Sequence, residues 1–523
     1  MKIRSALAFC LIVMLTGCQR AQQEQAAPPP VAQQAPPTRP ASAEDPWVAK
    51  NRVIVITDIA NEPDDQMSMV RFLVYSNEFD VEGIIAATST WMRNRTRPDA
   101  VLKVIDAWDR VRPNLIRHSP DYPTTELLRN AVTTGQPGYG MAAVSPDKTS
   151  PGAQRIIDAV DSGVKRNDTR PLWITVWGGA NTLAQALLHV RQTRTPAELQ
   201  SFIEHLRVYT ISDQDDAGPW IRREFPTLFY IANPSTPDGD EYYRATWTGI
   251  SGDLFYRNGD GADFTTFTTP WVNVNIRNKG PLGKLYIMPC CIHEGDTPSF
   301  LGLINNGLDS FMSPTYGGWG GRYVWRQPYG ETRPLWTQGG DSYPGKDSSR
   351  DTVIGIDDKP HTSDQATIWR WRTAFQHDFA ARMDWTVKDP KHANHNPQVV
   401  INGQSGKAPI VIQTEPGKPV TLDATGTKDP DNDSLTYKWF FYNEAGTGIP
   451  TKPVAIGAGN IPSSPDGMAP QPPARLTLDH EDGAKVTATL HTSGTAHIIL
   501  AVEDKGTPSL TSYRRIIVQT TTH

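Results

Sequence analysis

From Arg52 to about Trp385, short runs of aliphatic and β-branched residues alternate with segments whose apolar positions recur at helical spacing. VIVIT (53–57), VEGIIAAT (81–88), LWITVW (172–177) and LRVYTIS (206–212) are largely continuous apolar runs. A strand with one wet face alternates apolar and polar positions, and one buried on both faces does not, so these runs predict buried strands. Segments 66–77, 97–109, 152–164 and 181–193 predict amphipathic helices between them. The alternation predicts an α/β domain with a mainly parallel sheet and helices on both faces. Such sheets hold ligands beyond the carboxyl ends of their strands. A further helical run, 362–385, carries Trp369 and Trp371, read as packing residues.

A different pattern begins near Asn394, where NHNPQVVING opens a stretch punctuated by Pro and Gly. VTLDAT, LTYKWFFYN, KVTATLH, AHIILAVED and YRRIIVQ then follow at the spacing of a β-sandwich. The expected division is an α/β domain over 46–392 and a smaller all-β, Ig-like sandwich over 393–523. The segment DATGTKDPDNDSLTYKWFF (423–441) resembles polycystic-kidney-disease-type and cadherin-like sandwiches of secreted carbohydrate-active proteins, which implies that Trp439 is a core residue. Its acidic DPDND reads either as a calcium-holding loop or as a solvated turn.

The first residues place Lys2 and Arg4 before an apolar run from Ala6 to Leu15, which suits an export signal and is too short to span a bilayer as a mature helix. The run ends in Leu15-Thr16-Gly17-Cys18, which resembles the bacterial lipobox and implies cleavage before a lipidated Cys18. Gln19 in the next position, by the same resemblance, favours the outer membrane. From Gln19 to about Asp45 the chain is Gln, Ala and Pro with few large apolar residues, too little to offset the entropy of ordering, so a tether is expected. After Cys10 and Cys18 only the adjacent pair Cys290 and Cys291 remains, which builds neither a disulfide scaffold nor a thiolate metal centre. A formal net charge of −5 and the lack of a long basic run argue against nucleic acid as a partner.

The chemistry gathers after the first strand. VIVIT leads into Asp58, and the next seven residues bring Glu62, Asp64 and Asp65 to the start of a helix. Clustered carboxylates repel one another unless a cation or a helix amino terminus compensates, and such groups at the mouth of a parallel sheet suit a hard cation such as calcium. An acidic loop that merely caps a helix is the plainer reading, but it employs only one of them.

The stretch TDIANEPDDQMSMVRFL (57–73) resembles the opening motif of nucleoside hydrolases, an aspartate-rich strand, loop and helix that binds calcium. Two registers are possible. Without a gap, Ala60 falls where the water-activating aspartate stands; with two extra loop residues, Asp58 takes that place, and we prefer this second register because it keeps the carboxylate at the strand end. LWITVWGGANTLAQALL resembles the family's strand, Gly-rich turn and helix, which implies a main-chain calcium ligand at Asn181. In CIHEGDTPSFLGLINNGL the resemblance makes Asp296 the closing calcium ligand, the alternative being a helix cap. His293 beside it is a candidate catalytic acid. The segment ISDQDDAGPWIRREFP resembles the family's sugar-holding segment, with Glu224 in place and Pro226 where the family has Asn. Thr90 and Trp91 follow the second strand where the family offers an Asn to the sugar. Among 15 Trp, several stand in loop-like or glycine-rich surroundings, and Trp91, Trp177 and Trp319 are read as sugar-stacking candidates, with Trp220 and Trp325 in similar settings.

The resemblance implies a calcium-dependent hydrolase of glycosyl bonds. Calcium would be held by Asp58, Asp65, the Asn181 carbonyl and Asp296, Asp58 would be the general base, and Asp64 and Glu62 would meet sugar hydroxyls. The leaving-group acid is left among His293, Glu294, Asp213, Asp215 and Asp216. A bacterial branch with this motif style and a sandwich tail is described as cellulose-binding, so the alternative is a carbohydrate-binding lipoprotein that keeps the fold without turnover. Either way the partners expected are a carbohydrate or glycoside and, through Cys18, a membrane. Replacing Cys18 with Ser is expected to shift the protein from membrane to soluble fractions; continued sedimentation with membranes would point to another attachment.

Overall fold

The computed structural model describes residues 49–145, 147–233, 250, 261–288, 293–328, 331–338, 349–446, 454–456, 459–461 and 475–520. Cys18, the expected signal and tether, and Cys290 and Cys291 lie outside the described residues.

Eight strands form the main sheet: β1 (Asn51–Thr57), β2 (Phe79–Ala86), β3 (Val132–Thr134), β4 (Leu172–Val176), β5 (Leu206–Ser212), β6 (Phe229–Asn233), β7 (Val324–Arg326) and β8 (Leu335–Thr337). Their order is β3-β2-β1-β4-β5-β6-β8-β7. Pairing is parallel throughout except at β7, which runs antiparallel to β8 at the edge. The four predicted runs are β1, β2, β4 and β5, the centre of the sheet. In β1 the reason for an unbroken apolar run is direct: Val53 and Val55 enter the core on one face, and Ile54 and Ile56 the core on the other.

The predicted helices are present as Pro63–Val74, Pro98–Asp109, Pro151–Lys165 and Asn181–Thr193. The first, α1, begins three residues earlier than expected because Pro63 stands at its first turn, where a missing N–H costs nothing. The run 362–385 is instead a strand over Pro360–Ser363 followed by helices Ala366–Trp369 and Arg372–Trp385, with Trp369 and Trp371 buried as expected.

Beyond residue 410 lie a four-stranded sheet and a three-stranded sheet, with Trp439 fully buried between them and its indole N–H donating to the Gly483 carbonyl (2.9 Å). The sandwich shares a core with the α/β part. Trp371 meets Tyr513 edge-on (5.5 Å between ring centroids), and the Tyr442 hydroxyl donates to Asp351, which also pairs with Arg322 and Arg370. Arg515, buried, donates to the carbonyls of Leu308 and Tyr316. This seam fixes the sandwich against the loops that follow residue 300.

Within the α/β part, Arg71 of α1 is buried against Glu294 (2.6 Å), and Glu294 also accepts from Tyr286 and Thr297. A buried charge left without its counter-charge is costly, so Glu294→Ala is expected to lower stability by about 3–5 kcal/mol in urea denaturation. A loss under about 1 kcal/mol, typical of an exposed ion pair, would show that this pair is solvated in the folded protein.

Candidate functional site

The site is built where β1 ends. Asp58 follows the strand directly, and its carbonyl accepts from the Asn61 N–H (3.2 Å) to close a tight turn. Ala60 adopts a left-handed conformation (φ 76°) and is exposed, while Asp58 is buried. The turn hands the chain to α1, whose first turn carries Asp64 and Asp65. Thr57 bridges strand and helix: its hydroxyl donates to Asp65 and accepts from the Ile59 N–H (3.1 Å).

Asp296 comes in from the other side, just ahead of the short helix Pro298–Leu301. Its carbonyl accepts from the Ser299 hydroxyl (2.6 Å), but no side-chain cap is made at that helix, and Asp296 Oδ2 is buried with no partner among the described residues. Nor does a side chain cap α1. The capping explanation therefore accounts for neither aspartate group.

Asp64, Asp65 and Asp296 each offer a ligand atom within 4.8 Å of the others. Asp58 lies beside them, near enough that its charge adds to the burial that raises the Asp64 and Asp65 carboxyls. All four aspartates are at most 3% exposed. Burial pushes each carboxyl above its ordinary range; for Asp64, with Glu62 and Asp58 adding repulsion, to about 8. Glu62, at the start of α1, is shifted up by burial and then by Asp58. Asp58 Oδ1, Asp64 Oδ1 and Asp296 Oδ2 are buried without partners among the described residues. Converging hard oxygens, held in place yet uncompensated, fit a divalent cation of the calcium type.

The turn after β4 closes the pocket. A side chain at Gly178 would bring its Cβ to 2.8 Å from Asp58 Oδ1, and one at Gly179 to 2.5 Å from Asp215 Oδ2. Asp215 in turn accepts from the main-chain N–H groups of Ala180 (3.1 Å), Asn181 (3.0 Å) and Ala217 (3.0 Å), while burial raises its carboxyl to about 6.

Several expected residues are placed differently. The Asn181 carbonyl, expected as a main-chain calcium ligand, accepts from Gln136 (3.1 Å), and its side chain donates to the Gly138 carbonyl (2.8 Å). Trp177 is fully buried, with its indole N–H on Ser299 (2.9 Å) and its ring among Phe72 and Phe300, so it is core rather than a sugar platform. Trp319 is likewise core, edge-on to Phe375 and Tyr513. Glu224 ends the helix Ala217–Glu224 in ion pairs with Arg191 (2.9 Å) and Arg223 (3.4 Å). His293 lies against Phe267, and burial, with Arg372 and Arg71, drives its pKa down to about 3, so at neutral pH it holds no spare proton to give.

The other acid candidates are engaged too: Glu294 by Arg71, Asp213 by Arg222 (2.7 Å), and Asp216 by the Met141 N–H (2.7 Å). Trp220 packs on Phe225, and Trp325 on Trp336. Trp91, in contrast, is 57% exposed on the loop after β2, two residues from Ser89, and Thr90 beside it receives Arg93 on its carbonyl (2.9 Å) and hydroxyl (3.1 Å). Sequence reasoning missed Ser89, Thr57 and Gly178. The Gly-rich turn after LWITVW marked the place of Gly178, and the position of Thr57 at the strand end before Asp58 gave a signal for it, but nothing marked Ser89.

Residues 52–323 match the family described as cellulose-binding Sde182, nucleoside hydrolase-like domain, and residues 419–520 match cellulose-binding protein Sde0182, C-terminal domain. A nucleoside hydrolase-related hypothetical protein from Saccharophagus degradans, associated with carbohydrate metabolism, is 32% identical, over 90% of this chain and 100% of its own, with a TM-score of 0.71. The PKD domain from KIAA 1837 protein (17% identity, 24% of this chain and 89% of that one, TM-score 0.15) and mouse clustered PcdhgC3 EC1-3 (13%, 26% and 36%, 0.13) are similar at a level that carries no argument. No curated protein matches.

Since a Cβ at residue 178 would displace the Asp58 carboxylate, Gly178→Ala is expected to weaken divalent-cation binding at this cluster, if Asp58 is a ligand there, roughly 10- to 100-fold in titration calorimetry with calcium as the probe. An unchanged affinity would place Asp58 outside the cation's ligands.

Proposed function

Because this chain belongs to the Sde182 cellulose-binding family, with its nucleoside hydrolase-like domain and C-terminal domain, we propose that it is a calcium-dependent hydrolase of glycosyl bonds acting on a carbohydrate or glycoside outside the cytoplasm. The observation that carries this reading is the set of buried carboxylates with unpartnered oxygens at the end of β1. Lipidation at Cys18 would hold the protein at a membrane, the outer one by the identity of Gln19.

Asp64, Asp65 and Asp296, with Asp58 beside Asp65, are the residues that would hold calcium. When bound, the ion would supply Lewis acidity and a template for water and sugar hydroxyls. Cleavage at an anomeric carbon passes through an oxocarbenium-like transition state that needs a water nucleophile on one face. Asp58 is suited to orient that water and take its proton, because the Asn61 N–H on its carbonyl holds the turn while its buried Oδ1 stays without a partner among the described residues. Glu62, partly exposed beside Asp58, can receive a sugar hydroxyl, and the exposed face of Trp91 can stack on a ring. One direct attack by water forms the bond to the anomeric carbon as the bond to the leaving group breaks, inverting the centre, and the leaving group takes its proton from solvent.

The test is an activity screen of the full chain over nucleosides, glycosides and cellulose-derived oligosaccharides, with and without a calcium chelator. Chelator-sensitive release of a reducing sugar supports the reading, whereas binding without turnover on every substrate replaces it with the non-catalytic cellulose-binding alternative. Asp58→Asn keeps one oxygen and removes the base, so it is expected to retain weakened calcium binding and lose roughly 10²- to 10⁴-fold in hydrolysis rate. An unchanged rate would move the search for the base to Glu62 or Asp64.

A further inference from the structure

A cleft of about 720 Å³ opens where the α/β part meets the sandwich, and none of the four clustered aspartates lines it. That volume is in the range of sites that hold small molecules. One wall comes from the α/β part: Asn77 and Glu78 after α1, Asn306, and Asp378 and Arg382 on the helix Arg372–Trp385. The other comes from the linker 396–400, the loop 405–407 and the start of the strand Thr511–Thr520. Two hydrogen bonds tie the walls together, Asn396 Nδ2 donating to Asp378 Oδ2 (3.0 Å) and the Tyr513 N–H to the Asn306 carbonyl (3.2 Å).

The charged groups of the cleft are spent on one another. Asp378 accepts from the Tyr75 hydroxyl (2.6 Å) and from Arg382 (3.1 Å), and Arg382 also reaches Glu78 (2.8 Å) and the side-chain oxygen of Asn77 (2.7 Å). Burial pushes the Glu78 carboxyl up, but Arg382 and then Lys407 outweigh it and hold Glu78 below its ordinary range. Lys428, on the rim, is exposed, where salt and water screen it. An anion seeks free donors in a fork, and the guanidinium that lines this cleft has given its fork to carboxylates.

What stays open is neutral. Asn306 uses Oδ1 on the Leu308 N–H (3.1 Å) and keeps its amide N–H groups, whereas Asn396 uses Nδ2 on Asp378 and keeps Oδ1; neither leftover group has a partner among the described residues. The side chains of Gln398, Thr511 and Ser512 likewise make no hydrogen bond among the described residues, and all five residues are at least partly open to solvent. Between them Pro397, Val399 and Tyr513 supply apolar ground. A sugar hydroxyl both donates and accepts, so free amide donors, amide acceptors and hydroxyls over an apolar floor match a polyol with hydroxyls at its edge and C–H bonds on its face. We propose that this cleft binds a short neutral oligosaccharide, held by the amides of Asn306, Asn396 and Gln398 and the hydroxyls of Thr511 and Ser512. Since both walls touch the sugar, its binding fastens the sandwich to the α/β part. The site stands apart from the hydrolase reading and does not need it.

The test is titration calorimetry of the full chain in EDTA, which keeps calcium-dependent turnover from consuming the probe. The probes are cellohexaose, xylohexaose and mannohexaose, with an oligogalacturonate as the anionic comparison. At least one neutral hexasaccharide is expected to bind the parent, and the double variant Gln398→Ala with Ser512→Ala to weaken it roughly 10-fold, as the loss of two hydrogen bonds implies. Because both of those side chains lack partners in the folded chain, the double variant should unfold at the parent's temperature without sugar and show a smaller rise in midpoint with it. Asn306→Asp, which keeps the oxygen that Leu308 uses and removes the amide donor, should weaken binding too, and Trp91→Ala should leave it unchanged. If no neutral hexasaccharide binds, or if only the oligogalacturonate does, the seam site is overturned. It is also overturned if Trp91→Ala abolishes binding that the double variant leaves intact, and in that case the sugar lies at the β2 loop and the hydrolase reading keeps its substrate.

Discussion

Asp58, Asp64, Asp65 and Asp296 cannot all ionise while hidden from water, so either protons or a cation must meet that repulsion. Folding collects them at one point at a cost in desolvation, and their partners do little to offset it. Thr57 orients an oxygen of Asp65, and Ser89 and Asn61 favour ionised Asp58, but none of them brings positive charge. The amino terminus of α1 contributes a partial one, through main-chain N–H groups at Asp64 and Asp65. A half-charge at a helix end cannot balance several carboxylates, and each of them is accordingly displaced towards its protonated form. A resident divalent cation reverses that displacement, so the same residues that strain the empty fold would stabilise the loaded one.

The parallel sheet makes such a gathering possible. Parallel strands end on the same side, so Asp58 after β1, Ser89 after β2, the Gly178-Gly179 turn after β4 and Asp215 after β5 arrive together although more than 150 residues of chain separate the first from the last. Asp296 is supplied by the segment that the sandwich packs against. Trp319, Tyr442 and Tyr513 form one core with Phe375 and Trp371, and the Arg322, Arg370 and Tyr442 side chains converge on the buried Asp351. The C-terminal part is therefore a structural brace for the loops after residue 300 and not a loosely attached module.

What the sequence made legible follows from this division. The central strands were readable because burial on both faces leaves an unbroken apolar run, and Asp58, Asp64 and Asp65 were readable because they are close in sequence. The edge was not: β3 is only Val132-Thr133-Thr134, and β7 and β8 are three residues each, too short to show a period. Tryptophan misled at two of the three stacking candidates. Trp177 and Trp319 stand in glycine-rich sequence yet fill the core, because glycines there let backbone approach backbone, whereas Trp91 is open to solvent. Ser89 joins the site only through sheet pairing, and the Asn181 carbonyl is diverted by Gln136, a residue 45 positions upstream that no local pattern connects to it.

The loop between Asp58 and Asp64 is where the two alignments with nucleoside hydrolases differ. Ala60, in the left-handed region, is exposed, whereas the strand-end carboxylate of Asp58 is buried beside Asp65. In either register Asp58 belongs to the acidic cluster, and Gly178 leaves room for it. The sugar-facing half has diverged instead. Glu224 is committed to Arg191, and Pro226 offers no side-chain amide. Exposed or partly exposed residues on the loops after β1 and β2 include Glu62 and Trp91, a carboxylate and a flat apolar face. On the hydrolase reading proposed above, that pairing would suit a pyranose ring, which presents hydroxyls at its edge and C–H bonds on its face, at least as well as a ribose held by amides.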